Sequence, residues 1–229
     1  EIGILVDRMA KGLHDHGVEK GVKVGLCLPN CPYYLIAYYA VARTGATIVN
    51  YNPLYAESEL AYQIEDSGTD LMITLDLEIM YNKMEKMLHS TRLNQIVVCP
   101  FAKCLPFPKN ILFPLIKSRD IASIPDDDRH VMFSRLIDND GKFDPRRIEP
   151  GQDIALWRYA GGSTGTRKGA MLTHANLTSN VEQCVLWFQD VQLGQEKILA
   201  VIPFFHVFAM TTILNFSVRC GFEIIASPK

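Results

Sequence analysis

A glycine-rich stretch in the last third of the chain has the composition of a phosphate-binding loop. Residues 159–169 have the sequence Tyr-Ala-Gly-Gly-Ser-Thr-Gly-Thr-Arg-Lys-Gly and directly follow a predicted strand. Glycines let backbone N–H groups turn toward an anion, hydroxyl groups donate hydrogen bonds to phosphate oxygens, and a lysine offsets the phosphate charge. The residue types and their spacing therefore predict an anion-binding cradle.

Other sites could be built from the same residues. A Walker A loop requires Ser or Thr after its lysine, whereas Lys168 is followed by glycine, and the chain contains no GxGxxG. The stretch also fits GxSxG around Ser163, with Asp190 and His206 following in the order of a serine hydrolase. The helix of such a nucleophile elbow starts immediately after the serine, but residues 166–169 intervene here. A flexible glycine-rich linker is a further alternative.

The first hundred residues alternate helical patterns with short apolar runs, which is typical of βαβ units. We predict strands at 22–28, 46–50, 70–75 and 95–99. We predict helices at 2–16, from an N-cap at Asn30 to residue 43, from 57 or 58 to 67, and at 76–90. The fold class is therefore α/β, with mostly parallel sheets and flanking helices.

The rest of the chain divides into two segments. Residues 101–150 contain many prolines and form a predicted insertion or linker with one short helix. From 151 to 229 regular structure resumes around the loop at 160–169. There we predict strands at 153–159, 197–202 and 222–226, and helices from about Thr173 to 190 and at 207–218. The predicted organisation is a first α/β segment at 1–100, the insertion, and a phosphate-loop segment at 151–229.

Composition and charge narrow the class of protein. The chain is 48% apolar, so a sizeable core is feasible, and its net charge of −2 gives no overall attraction to nucleic acid. The six cysteines lack the spacing of a zinc site, so we expect reduced thiols. No apolar run approaches the ~18 to 20 residues that cross a bilayer, and a cytoplasmic protein is expected. The oligomeric state, including a homodimer, is left open.

Residues 159–176, YAGGSTGTRKGAMLTHAN, resemble the signature loop of the adenylate-forming ligases, especially long-chain fatty acid–CoA ligases. The Pro-Phe-Phe-His-Val-Phe stretch at 203–208 resembles the family's second motif, and 28–30, 42–46 and 50–54 resemble its N-terminal half. The resemblance implies part of the large N-terminal domain of an enzyme that converts a fatty acid and ATP to acyl-AMP, and then uses coenzyme A to form acyl-CoA. Mg²⁺ would accompany the ATP.

The resemblance also assigns roles to individual residues. The catalytic candidates are Thr164, Lys168 and His206, with Lys168 neutralising the departing pyrophosphate and His206 lining the pocket where the carboxylate meets the α-phosphate. The candidates for binding ATP are Tyr159, Gly161, Gly162, Ser163, Thr164, Gly165, Thr166 and Lys168. The family's later acidic magnesium-binding segment, its ribose-binding aspartate and its C-terminal lysine have no counterpart before Lys229. We therefore expect an N-terminal fragment that does not turn over alone.

Two residues depart from the family pattern. Ala160 stands where the family usually has a threonine that helps to hold phosphate or magnesium, and Arg167 stands where proline is common. Loss of one hydrogen bond to a charged group is worth ~1.5 to 3 kcal/mol, so Ala160 is expected to weaken ATP binding without abolishing the site.

Residues 101–119 combine apolar and basic side chains. Lys103, Lys109, Lys117 and Arg119 are interleaved with Leu, Ile and Phe, a composition that could lie in a membrane interface. Three prolines limit any helix here to a short piece, and packing on the protein's own domain is the alternative. The sequence leaves both outcomes open: packing on the protein's own domain, or peripheral contact with the inner face of a membrane.

Overall fold

A computed structural model describes residues 1–145, 147–160 and 168–226. Its first elements are α1 (Ile2–Asp15), β1 (Lys23–Leu26), α2 (Pro32–Thr44), β2 (Thr47–Asn50), α3 (Glu57–Ser67), β3 (Leu71–Leu75), α4 (Glu78–Ser90) and β4 (Gln95–Cys99). Next come α5 (Lys109–Ile116), β5 (His130–Met132), α6 (Phe133–Leu136), β6 (Ile154–Ala160), β7 (Lys168–Thr173) and α7 (His174–Trp187). The last are β8 (Lys197–Ala200), α8 (Val207–Ala209), a π-helical turn (Met210–Asn215), α9 (Phe216–Cys220) and β9 (Glu223–Ala226).

Seven strands form one sheet in the order β5-β4-β3-β1-β2-β6-β7. Every neighbouring pair is parallel except β6 and β7, which are antiparallel. Strands β8 and β9 pair in parallel in a second sheet. The predicted α/β class with mostly parallel strands is confirmed.

Both faces of the large sheet are covered, because successive side chains of a strand point to opposite faces. Ile73 packs in a core with α1 and α2, whereas its neighbour Met72 packs in a second core with α3 and α4. The six cysteines carry free thiols, as predicted, and four are buried: Cys27, Cys31, Cys99 and Cys220. No helix in the described part of the chain is long and apolar enough to cross a bilayer.

Strand β7 was not predicted. The sequence predicts a loop at 160–169, but the structure pairs Lys168 with Ala160 and Gly169 with Tyr159. The apolar alternation that marks a half-buried strand is absent from β7, whose residues are all exposed or half-buried. The predicted helix start near Thr173 is confirmed, since Thr173 is the N-cap and its hydroxyl accepts a hydrogen bond from the Asn176 N–H at 3.2 Å.

The 101–150 segment contains more regular structure than one short helix. Helices α5 and α6 and two single-turn 3₁₀ helices lie there, and β5 joins the edge of the large sheet beside β4. Strand β5 has only three residues, too few for a periodic signal in the sequence.

The N-cap predicted at Asn30 was wrong. Helix α2 begins at Pro32, a position where proline's missing N–H costs no intrahelical bond, and Cys31 is the N-cap residue. The Asn30 side chain is buried and bonds instead to a segment about 170 residues later.

Candidate functional site at the carboxyl edge of the sheet

The carboxyl edge of the large sheet, where β1, β2, β3, β4 and β6 end, positions the candidate residues. Asn50, the last residue of β2, pairs with Arg158 in the parallel strand β6. Strand β6 therefore ends at the same edge, and the chain beyond Ala160 leaves the sheet there. Open α/β sheets bind ligands outside the carboxyl ends of their strands. The loop candidates themselves lie outside the described residues: Gly161, Gly162, Ser163, Thr164, Gly165 and Thr166.

The β6–β7 hairpin holds both ends of this loop. Lys168 is the first residue of β7, and its side chain is exposed. Its pairing with Ala160 leaves seven residues between the two strands. Antiparallel pairing therefore fixes the spacing of the loop ends and places the Lys168 cation where the loop returns to the sheet.

Trp157 packs directly on Gly169, across the hairpin. A Cβ on Gly169 would lie 1.7 Å from Trp157 Nε1, so no other residue fits without moving the indole. The indole ring is parallel to that of Tyr159, with an interplanar angle of 3° and 6.4 Å between centroids. The Trp157 Nε1 atom is buried and has no hydrogen-bond partner among the described residues. The glycine at 169 is thus needed for close packing at the base of the loop.

Tyr159 anchors the loop entrance to the body of the domain. Its side chain is buried in the core that also contains α3 and α4. Its hydroxyl donates a hydrogen bond to Asp66 Oδ2 at the end of α3. Burial, and then the neighbouring Asp66 carboxylate, raise the pKa of Tyr159 far above its ordinary value, so the hydroxyl stays protonated and can donate. The described contacts of this side chain are therefore structural, and its contact with ATP stays a prediction.

Asn30 joins the carboxyl edge to the segment that follows β8. Its Nδ2 donates to the carbonyls of Ala200 at 3.0 Å and Ile202 at 2.8 Å, and its Oδ1 accepts from the Phe204 N–H at 2.7 Å. These bonds fix the 203–206 segment, which ends in His206, against the end of β1. The sequence could not reveal this contact, because the partners are about 170 residues apart.

His206 lies at the turn into α8 with an exposed side chain. Its N–H donates to the Pro203 carbonyl at 2.9 Å, and its own carbonyl accepts from the Met210 N–H at 2.9 Å. Nearby, the Asn50 amide lies 3.8 Å from Met210 Sδ. The ends of β1 and β2 thus both contact the 200–210 region. The structure therefore brings the segment of His206 to the same sheet edge as Ala160 and Lys168, the two ends of the predicted phosphate loop.

A cavity of about 400 Å³, here called the edge cavity, opens at the same place. Its walls come from residues after β1, β3, β4 and β8: Pro29, Asn30, Leu77, Phe101, Pro203 and Phe205. Lys83 also lines it, and its ammonium group donates to the carbonyls of Pro53 and Tyr55 at 3.1 Å each. The cavity is thus mostly apolar with one cation, Lys83, which belongs to no recognisable sequence motif.

Metal ligands were not predicted within this chain. Among the residues that the structure describes, no group of three or more His, Cys, Asp or Glu side chains could hold a metal ion.

The sequence profile of the AMP-binding enzyme family matches residues 1–229, the whole chain. The chain belongs to the AMP-binding enzyme family. This family assignment confirms the resemblance seen in the signature loop.

Curated relatives and solved structures of the AMP-binding family agree with this assignment. A long-chain-fatty-acid–CoA ligase of Bacillus subtilis is 40% identical over 99% of this chain and 41% of its own length. The 4-coumarate–CoA ligase 1 of Arabidopsis thaliana is 31% identical over 100% of this chain and 38% of its own length. A crystal structure of a long-chain-fatty-acid-CoA ligase from Archaeoglobus fulgidus matches with a TM-score of 0.79 at 27% identity, covering 100% of this chain and 39% of that one. The chain thus spans about two fifths of the length of these relatives.

Proposed function

We propose that the full-length protein containing this chain is an acid–thiol ligase that activates a long-chain fatty acid. The fatty acid carboxylate attacks the α-phosphorus of ATP, which gives acyl-AMP and releases pyrophosphate. The thiol of coenzyme A then attacks the acyl carbonyl and displaces AMP, which gives acyl-CoA. The observation that carries this proposal is the 40% identity to the Bacillus subtilis ligase over 99% of the chain.

The hairpin geometry supports different roles for the loop residues and for Lys168 in the first step. Backbone N–H groups and hydroxyls of 161–166 would surround the β- and γ-phosphates, and Lys168 would neutralise charge as pyrophosphate leaves. Such groups act through position and electric field and form no covalent bond with the substrate. His206 would contribute at the carboxylate, since its segment is fixed to the same edge through Asn30. Mg²⁺ bound with ATP would screen the phosphate charge.

A serine hydrolase fits the structure less well. A nucleophile elbow needs a helix immediately after the serine, whereas β7 follows the loop and α7 begins only at His174. Active-site serine probes test this alternative. Labelling that disappears in Ser163→Ala would favour hydrolysis over ligation.

Calorimetric titration of the full-length protein with Mg-ATP tests the nucleotide site. We expect binding that Lys168→Ala and Thr164→Ala weaken, because each removes a predicted phosphate contact. Lys142→Ala is the matched control, since Lys142 is an exposed lysine outside the site. A non-catalytic nucleotide-binding module would show the same titration but no acyl-AMP on addition of fatty acid. Absence of binding by folded protein would contradict the site as proposed.

Three further hypotheses complete the proposal. Turnover is expected to require more than residues 1–229, which a direct assay of this chain tests. The second hypothesis is a cytoplasmic location with peripheral contact at the inner face of the membrane, because long acyl chains partition into bilayers. A homodimer is a separate hypothesis, tested by sedimentation of the full-length protein.

A further inference from the structure

The α5 region exposes an unusual concentration of large apolar side chains. None of the residues of α5 is buried. Five apolar side chains here are between 45% and 79% exposed: Phe107, Ile111, Leu112, Leu115 and Ile116. A contiguous exposed apolar patch on a protein surface marks an interaction site. These five residues, with the basic residues around them, are here called the α5 surface.

The charge of the α5 surface points to the chemistry of its partner. Residues 101–119 contain four basic residues and no Asp or Glu, although the whole chain carries a net charge of −2. The four are exposed: Lys103, Lys109, Lys117 and Arg119. Lys117 pairs with Asp120, just after the segment, at 3.6 Å, and the surface keeps a net positive charge. Long basic side chains beside apolar ones can place their charges at lipid headgroups while the apolar groups enter the acyl region. The combination fits an anionic lipid surface.

A small inner contact attaches the α5 surface to the body of the domain. Phe113 of α5 packs edge-to-face on Phe101, with ring centroids 5.2 Å apart. The Phe101 N–H donates to Asp76 Oδ1 at 2.7 Å, at the end of β3. The apolar side chains that face outward are therefore held in place by the carboxyl edge of the sheet, and do not belong to a free tail.

We propose that the α5 surface docks the protein on an anionic phospholipid membrane. A second copy of the chain is a poorer occupant, because a symmetric contact through this patch would bring two surfaces of net positive charge together. One helix of eight residues supports shallow, reversible attachment, with electrostatic attraction adding to apolar insertion.

The position of the α5 surface suggests what docking achieves. Phe101 lines both the edge cavity and an apolar groove of about 420 Å³ beside α5, whose other walls include Leu112, Phe113 and Ile116. An acyl chain leaving the bilayer at α5 would therefore meet the edge cavity beside the 203–206 segment. This step rests on the proposed function, whereas membrane docking itself does not.

Vesicle flotation of the full-length protein tests the docking. The vesicles contain phosphatidylcholine alone or phosphatidylcholine with phosphatidylglycerol. The charge variant is Lys103→Gln with Lys109→Gln. Removing two basic residues near an anionic surface is expected to lower partitioning roughly 30-fold, from about 1 kcal/mol per charge.

The apolar variant is Leu115→Ser with Ile116→Ser, which removes side chains that are 73% and 72% exposed and so leaves the core intact. It is expected to reduce flotation on anionic vesicles strongly. The matched controls are Ile4→Ser, 60% exposed on α1, and Lys142→Gln. Circular dichroism confirms that each variant is folded.

The proposal predicts flotation with anionic vesicles that is weaker at high salt, weaker in both α5 variants and unchanged in both controls. Folded wild-type protein that stays with the unbound fraction would overturn it, as expected if another part of the protein covers α5. Variants that change sedimentation but not flotation would also overturn it, in favour of a contact between copies. If the protein floats with anionic vesicles as predicted but does not bind Mg-ATP, the proposed function is wrong and the proposed docking surface is supported.

Discussion

Replacement of Asn30 by alanine tests the link between the large sheet and the segment of His206. The substitution removes all three hydrogen bonds of the Asn30 side chain, to Ala200, Ile202 and Phe204. It takes away the side-chain partner of two carbonyls and one N–H in a site where the side chain is only 6% exposed. An unsatisfied buried polar group costs about 1 to 3 kcal/mol. Because the bond to Ile202 is only partly buried, we expect a total loss of about 3 to 5 kcal/mol in the free energy of unfolding.

Asn30→Asp separates hydrogen bonding from side-chain volume. A carboxylate can still accept from the Phe204 N–H, but it cannot donate and it faces the two carbonyl oxygens that Asn30 bonds. We expect a destabilisation comparable to that of the alanine variant. Chemical denaturation with one structural probe per sheet is the assay, and the exposed Asn94→Ala is the control. A loss below about 1 kcal/mol in both Asn30 variants would refute the reasoning, because it would mean that solvent satisfies the three backbone groups.

Two further predictions concern packing and pH. Gly169→Ala should lower the free energy of unfolding by about 1 to 3 kcal/mol, because the new Cβ would lie 1.7 Å from Trp157 Nε1. Chemical denaturation measures this loss, and an unchanged midpoint would show that the indole moves freely. The His130 ring bonds to the Asp127 carboxylate at 2.7 Å and holds the Asp127 pKa below its ordinary 3.8. The ionised carboxylate therefore stabilises the fold above pH 3.8, and this stabilisation is lost as the pH falls through the lowered pKa. Asp127→Asn should therefore be less stable than wild type at neutral pH, with the gap closing below about pH 4 in urea titrations; a gap independent of pH would contradict this.

The elements that the sequence predicted well carry their signals locally. Strand β3 is a buried five-residue run, and it follows Gly68, which ends α3 in the left-handed conformation with φ of +68°. Both the apolar run and the glycine are visible in the sequence. The same holds for α7, whose Thr173 N-cap precedes a helical pattern. The α/β class follows from such alternating local signals.

The elements that the sequence missed depend on partners far along the chain. Strand β7 has no apolar alternation and exists through its pairing with β6. Asn30 has the residue type and position of an N-cap, but its partners at 200–204 satisfy the same hydrogen-bonding groups. Local preference is a weak guide where tertiary contacts offer a better partner. Asn30 and the first residue of β7 both lie at the carboxyl edge of the sheet.

The residues of the candidate site also fall into two groups: those that the sequence reveals and those that depend on contacts between distant parts of the chain. The composition of 159–169 predicts a phosphate loop, because glycines, hydroxyls and a lysine are needed together for that chemistry. The supports of the loop could not be predicted, since Trp157 on Gly169 and Tyr159 on Asp66 are cross-strand and cross-element contacts. Lys83 of the edge cavity likewise gave no signal, because lysines on helices are common and most of them lie on the surface.

The most direct test of the account is exchange of labelled pyrophosphate into ATP by the full-length protein, with and without a long-chain fatty acid. This exchange reports reversal of the first step, so it requires acyl-AMP and no coenzyme A. We predict exchange that depends on the fatty acid and falls roughly a hundredfold or more in Lys168→Ala, as for loss of one transition-state charge contact, while Lys142→Ala is unaffected. Folded protein that binds Mg-ATP but gives no fatty-acid-dependent exchange, or exchange that is equal in Lys168→Ala and wild type, would contradict the account.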